Sequence, residues 1–159
     1  MSGTEITTRT LPACTVASVR QTLPSATHEG ELWQQLWLGL GRAGGTPAAN
    51  PLVVAVYHDD LLLTSDADLE VLLEVVAPFA GTEQVRCRQL PATLVASRQL
   101  DPTDQDVPGV FDALGRWIAR NGYRFAGPMF SIYRPDSGGA PHTGRLVSEV
   151  CAPVAVLDL

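Results

Sequence analysis

A carboxylate set among apolar strand residues is the group in this sequence best suited to chemistry. Glu149 lies within Arg145–Pro153, R-L-V-S-E-V-C-A-P, where Leu146, Val147, Val150 and Cys151 supply the apolar, largely β-branched bulk of a strand. Strand alternation puts Glu149 on one face with Val147 and Cys151, opposite Leu146, Ser148, Val150 and Ala152. An unpaired ion in such a place costs several kcal/mol to bury or takes up a proton. Such a carboxylate attracts a delocalised cation, because little water screens it. The same desolvation suits proton transfer. The plain alternative is an ion pair with an arginine such as Arg145.

Aromatic side chains supply the rest of a possible receptor. Tyr57 and Tyr133 each close an apolar run that a proline opens, Pro51 and Pro128. Tyr57 shares a face with Val53 and Ala55, and Tyr133 with Met129 and Ser131, so either ring could stack on a planar ligand or donate a hydrogen bond. Trp33, Trp37 and Trp117 fall on inward helical stripes. Core packing explains Trp117; two tryptophans in one helix leave one to line a cleft, where its face would bind a cation. Glu74, in the string E-V-V-A-P, matches Glu149 in E-V-C-A-P and is expected to be its repeat partner on a wetter face.

Other motifs do not hold up. Gly39, Gly41 and Gly44 fit G-x-G-x-x-G but follow a helix and precede a loop, the reverse of a dinucleotide site. His28, His58 and His142 have no metal-ligand spacing with one another or with Cys14, Cys87 and Cys151, so neither metal nor cofactor is expected. His58-Asp59-Asp60 reads as a solvated hairpin start, and no Ser–His–Asp or Cys–His arrangement can be argued.

The elements that must position these groups come in two copies. Leu11-Pro12-Ala13-Cys14-Thr15-Val16-Ala17-Ser18 returns as Leu90-Pro91-Ala92-Thr93-Leu94-Val95-Ala96-Ser97. The spacing predicts strands over 6–11 and 14–21, a helix over 29–40 ended by Gly41 and Gly44-Gly45, and strands over 51–57 and 69–76. The second copy predicts strands over 85–90 and 94–100. A helix carrying Val110, Phe111, Leu114, Trp117 and Ile118 follows, stopping at Asn121-Gly122, and strands over 129–133 and 146–156 come last. The turn cluster P-D-S-G-G-A-P joins the last two strands. Halves of about 5–79 and 83–157 are expected to pack as one α+β domain spanning 1–159.

The chain of 159 residues is long enough for one core. Its net charge of -6 argues against a nucleic-acid surface, and no apolar run approaches the roughly 18 residues of a membrane span. Lysine is absent, and all eleven basic residues are arginine, the mark of a GC-rich, bacterial coding bias. Three cysteines without C-x-x-C spacing suit reduced thiols in a cytoplasmic protein.

Gly115-Arg116-Trp117-Ile118, Asn121-Gly122-Tyr123, Gly127-Pro128, Tyr133, and Glu149 with Pro153 resemble the second half of a GyrI-like domain, the bacterial effector-binding module. The resemblance covers the whole chain, more loosely in its first half. It implies duplicated strand–helix–strand–strand units forming a curved antiparallel sheet, with two helices and a ligand cleft on the pseudo-twofold axis. It also implies a buried last-strand glutamate, here Glu149, that meets lipophilic cations among aromatic rings. Only a handful of residues precede the first strand, so the chain resembles stand-alone members rather than regulators with a DNA-binding domain. Three functions follow as expectations. The first is binding of an aromatic, cationic or amphipathic small molecule by Glu149, Tyr133, Tyr57, Trp33, Trp37, Glu74 and Trp117. The second is hydrolysis of strained, cyclopropane-bearing genotoxins with Glu149 and Tyr133 as catalytic groups. The third is a protein partner, as in gyrase inhibition.

Overall fold

The computed structural model describes residues 5–25, 28–59, 66–101, 103, 106–133 and 147–157. Two segments singled out above, the P-D-S-G-G-A-P turn with His142 and Arg145, and Asp60, lie outside the described residues.

The first copy contains β1 (Ile6–Leu11), β2 (Cys14–Leu23), α1 (Glu29–Ala43), β3 (Val53–Tyr57) and β4 (Ala67–Glu74). The second contains β5 (Arg86–Leu90), β6 (Thr93–Gln99), α2 (Val107–Arg120), β7 (Tyr123–Phe125), β8 (Met129–Tyr133) and β9 (Val147–Val156). Helix α1 runs through Gly39 and Gly41 and stops only at Gly44, whose φ of 74° suits a residue without a Cβ. Gly39 is needed for packing: a Cβ there would lie 2.2 Å from Val85 Cγ2. Helix α2 starts where the Asp106 side chain accepts from Gly109 N at 3.3 Å, with proline in the first turn. The short β7, unforeseen in the sequence, pairs with β9.

The antiparallel strands run in the order β1-β6-β9-β8-β3-β4-β2-β5. Each copy lends its first strand to the other: β1 lies against β6 and β5 against β2. Exchanging each of these eight strands for its counterpart gives the same order read from the other end. The pseudo-twofold relating the copies passes through the paired residues Ala55 and Ser131, midway along the central β3–β8 pair.

That order forces curvature. β1 and β2 stand six strand positions apart, which in a flat sheet would be about 29 Å at ~4.8 Å per strand. The connection Pro12-Ala13 between Leu11 and Cys14 reaches no more than about 11 Å. The sheet therefore rolls into a half-barrel, and both L-P-A turns cross its open side.

Rolling creates two cores. On the outer face, α1 and α2 pack Leu32, Trp33, Leu36, Phe111, Leu114 and Ile118 against Val19, Ala55, Val71, Ala96 and Val150. On the inner face, without helices, Val16, Val54, Val56, Leu72, Val95, Ile132 and Cys151 form the second core. Among the described residues, no helix is long and apolar enough to cross a membrane.

Candidate functional site

The helix face carries a line of hydrogen-bonding groups that starts beside the pseudo-twofold and runs to α1. Tyr57 and Tyr133 end the two central strands and flank the Ala55–Ser131 pair. Tyr57 OH lies 3.2 Å from Ser131 Oγ, and the Tyr57 and Tyr133 phenols are near enough to act on each other's ionisation. Tyr133 OH donates to Glu29 Oε2 at 2.6 Å, and Trp33 Nε1 donates to the same oxygen at 2.9 Å. Glu29 stands in the first turn of α1, where the helix dipole favours a carboxylate. Trp33 meets the Tyr133 ring edge-on at a centroid distance of 6.4 Å, and Phe111 of α2 meets Tyr57 likewise at 5.5 Å.

This enclosure acts on the phenols. Burial pushes Tyr57 up to about 12, with the Glu29 charge adding to it. Burial likewise carries Tyr133 well above the ordinary phenol range, helped by its neighbours Tyr57 and Glu29. Beside Tyr57 opens a cavity of about 660 Å³ lined by Pro108, Phe111, Phe125 and Met129, with exposed Asp59 and Asp112 in its wall. Aromatic walls, acidic groups and a carboxylate held by two donors make a setting for a lipophilic cation, or for proton transfer.

Glu149 is not part of this setting. It lies on β9 beside Tyr133's strand, as expected, but on the opposite face. Ile132 pairs with Glu149, whereas Tyr133 pairs with Val147, so Ser148 is an extra residue in a bulge. The bulge breaks the alternation: Val147 joins the helix-face core, while Glu149 faces the inner side with Cys151. There Arg9 of β1 binds Glu149 by both carboxylate oxygens, Nε to Oε2 at 2.8 Å and a second nitrogen to Oε1. The arginine partner comes from the exchanged strand β1. Burial, with the Glu149 charge next, carries the Cys151 thiol well above its usual range.

The repeat partner of Glu149 is Glu70, not Glu74. Glu70 pairs with Val56 as Glu149 pairs with Ile132, and their offset of 79 equals that of the L-P-A strings. Glu70 is held by Ser18 and Arg88 through Oε2 and by His58 Nε2 at 2.8 Å through Oε1. Arg88 is the counterpart of Arg9, so each copy closes the inner face with one Glu–Arg pair. Glu74 is half-buried and accepts from Leu52 N at 3.0 Å. The E-V-x-A-P likeness is a coincidence of local sequence.

Of the other expected residues, Trp33, Tyr57 and Tyr133 are brought together. Trp37 packs against the helix-face core with its buried Nε1 lacking a hydrogen-bond partner among the described residues. Trp117 stacks on Tyr123 at 5.7 Å, a packing role. Glu29 was missed, since an acid in a first helical turn reads as dipole complement; its i,i+4 spacing to Trp33 was the available signal. No cluster of metal-ligating side chains occurs among the described residues.

A family model described as the GyrI-like small molecule binding domain matches residues 4–155. The crystal structure of the EcmrR C-terminal domain is similar at 18% identity and a TM-score of 0.81, over 96% of this chain and 98% of that one. In the cryo-EM EcmrR–DNA complex, the similar region is 58% of the chain. A hydrolase from Listeria innocua shares the fold at 11% identity and a TM-score of 0.59, over 95% and 92% of the two chains. SAV2435 bound to tetraphenylphosphonium does so at 12% identity and 0.56, over 95% and 94%. No curated protein matches the chain.

Proposed function

The chain belongs to the GyrI-like small molecule binding domain family, and on that premise we propose that it takes an aromatic, lipophilic cation into the helix-face cleft, with Glu29 as the countercharge. The observation that carries this reading is the line Ser131–Tyr57–Tyr133–Glu29–Trp33. In it one carboxylate, two phenols and an indole meet where α1 packs on the ends of β3 and β8. The fold neighbour SAV2435 with tetraphenylphosphonium gives a probe of matching chemistry. The ligand's charge replaces part of the donor field now spent on Glu29, and its rings lie against Tyr57, Phe111 and Phe125, which line the cavity.

The test is a fluorescence titration with tetraphenylphosphonium and with neutral triphenylphosphine oxide. Removing a desolvated charge contact worth on the order of 1.5–3 kcal/mol should cost Glu29→Gln roughly tenfold to a hundredfold in affinity for the cation. The neutral analogue should lose much less. Equal losses for the two ligands would refute the countercharge role.

The 2.6 Å Tyr133–Glu29 hydrogen bond supports a second reading. A carboxylate that activates water beside a phenol that protonates a leaving group is a hydrolytic pair. Incubation with a cyclopropane-bearing electrophile, followed by product analysis, separates this from binding alone. Turnover lost in Tyr133→Phe, with cation affinity retained, would identify a hydrolase.

A further inference from the structure

On the inner face of the sheet, opposite the helix-face core, the second core is incompletely filled. An apolar cavity of about 230 Å³ lies beneath the two L-P-A turns, walled by Leu11, Val54, Val56, Leu72, Leu90 and Phe130. Well-packed cores leave few voids of this size, and concave apolar cavities with a few convergent polar groups are the usual form of a ligand site. Here the polar groups gather at one end: Arg88, His58 and Glu70 border the apolar cavity and also a polar cavity of about 610 Å³ beside it.

The charge at this junction favours one class of head group. Glu70 is buried, and three donors satisfy its carboxylate: Ser18, Arg88 and His58. Arg88 directs one nitrogen to Glu70, and its side chain remains 43% exposed. A guanidinium has five N–H donors in a fixed fork, so donors remain for a second carboxylate. Arg86 lines the polar cavity as well, with Glu83 and the Arg20–Asp68 ion pair, so the preference for an anion rests on the spare donors of Arg88. The related pair, Arg9 and Glu149, borders neither cavity, so closing the fold requires an arginine but not the space beside it.

We propose that this junction is a second ligand site, for small amphipathic monocarboxylic acids, with the carboxylate on Arg88 and the hydrocarbon tail in the apolar cavity. Most of the cation cleft lies on the other face of the sheet, and the two cavities share only His58 and Pro128 in their walls.

Saturation-transfer NMR with hexanoate, hexylammonium and 1-hexanol tests it. Wild-type protein should bind hexanoate saturably, in preference to the alcohol and the amine. Losing a charge-assisted contact should weaken hexanoate about tenfold in Arg88→Gln, and Cys14→Phe, which narrows the apolar wall, should weaken it too. Glu29→Gln should bind hexanoate unchanged, and Arg88→Gln should bind tetraphenylphosphonium unchanged, so the two sites fail separately. Equal or better binding of hexylammonium or 1-hexanol to the wild type would overturn the proposal, whether or not any variant folds. So would hexanoate affinity within twofold of wild type in folded Arg88→Gln.

Discussion

Replacing Glu149 by glutamine separates a structural carboxylate from a ligand-binding one. Glu149 is 5% exposed and accepts from two guanidinium nitrogens of Arg9, which joins the edge strand β1 to β9 across β6. In Glu149→Gln one acceptor becomes an amide NH₂ that points at an N–H donor. Loss of a hydrogen bond to a charged group costs about 1.5–3 kcal/mol. The Arg9 side chain is 43% exposed and regains water, so the lower end applies, about 1.5–2 kcal/mol. For a chain of this size that lowers Tm by about 3–8 °C. Thermal unfolding of Glu149→Gln, Arg9→Met and the double variant measures the coupling, and the double variant should be less destabilised than the sum of the singles. Affinity for tetraphenylphosphonium should not change. A Glu149→Gln protein of undiminished Tm that has lost its preference for the cation would refute the assignment and return Glu149 to the ligand site.

Titration and packing provide three further checks. Tyr57 and Tyr133 have raised pKa values in the folded chain, so their contribution is complete below the ordinary phenol value near 10; that of Tyr57 fades as pH rises through about 12, and that of Tyr133 fades above the ordinary range as well. Circular dichroism against pH should show alkaline unfolding in that window, and Tyr57→Phe should reduce its steepness. Burial alone would raise Glu70, but Ser18, His58 and Arg88 outweigh it, and its pKa is lowered; its stabilisation is present above the ordinary glutamate value of 4.5 and fades as acid protonates the folded carboxylate. Urea unfolding between pH 5 and 2 should be less pH-dependent in Glu70→Gln. Gly39→Ala forces a methyl into buried Val85 and should cost about 1–3 kcal/mol, read from urea midpoints, whereas Gly41→Ala, with open space around it, should be neutral or stabilising.

Most of the architecture was legible because periodicity is a local property. The Trp33–Leu40 stripe and the L-P-A strings placed the helices and the β1–β2 and β5–β6 crossings. A sheet that exchanges its first strands leaves no such local trace, and β7 was too short to announce itself. The site was harder to read for one physical reason. A bulged residue reverses every face assignment beyond it, and nothing in R-L-V-S-E-V-C-A-P marks Ser148 as the extra one. Alternation therefore put Glu149 with Val147 and, by way of the hairpin, with Tyr133. Its partner Arg9 is 140 positions away, beyond any spacing argument. Both tyrosines and Trp33 could be named because strand ends and helical stripes are themselves local.

The exchange of first strands also bears on what happens when the chain is divided. Cleaved in the connection at 77–84, the protein yields two pieces whose first strands have lost the neighbours they pair with, β6 for β1 and β2 for β5. Each piece carries an unpaired ribbon and an exposed sheet edge of complementary register, an invitation to association. Mixed, the pieces reassemble by trading ribbons. A single piece alone finds its only comparable partner in a copy of itself, so half-length products of proteolysis or truncation enter swapped dimers instead of folding as monomers.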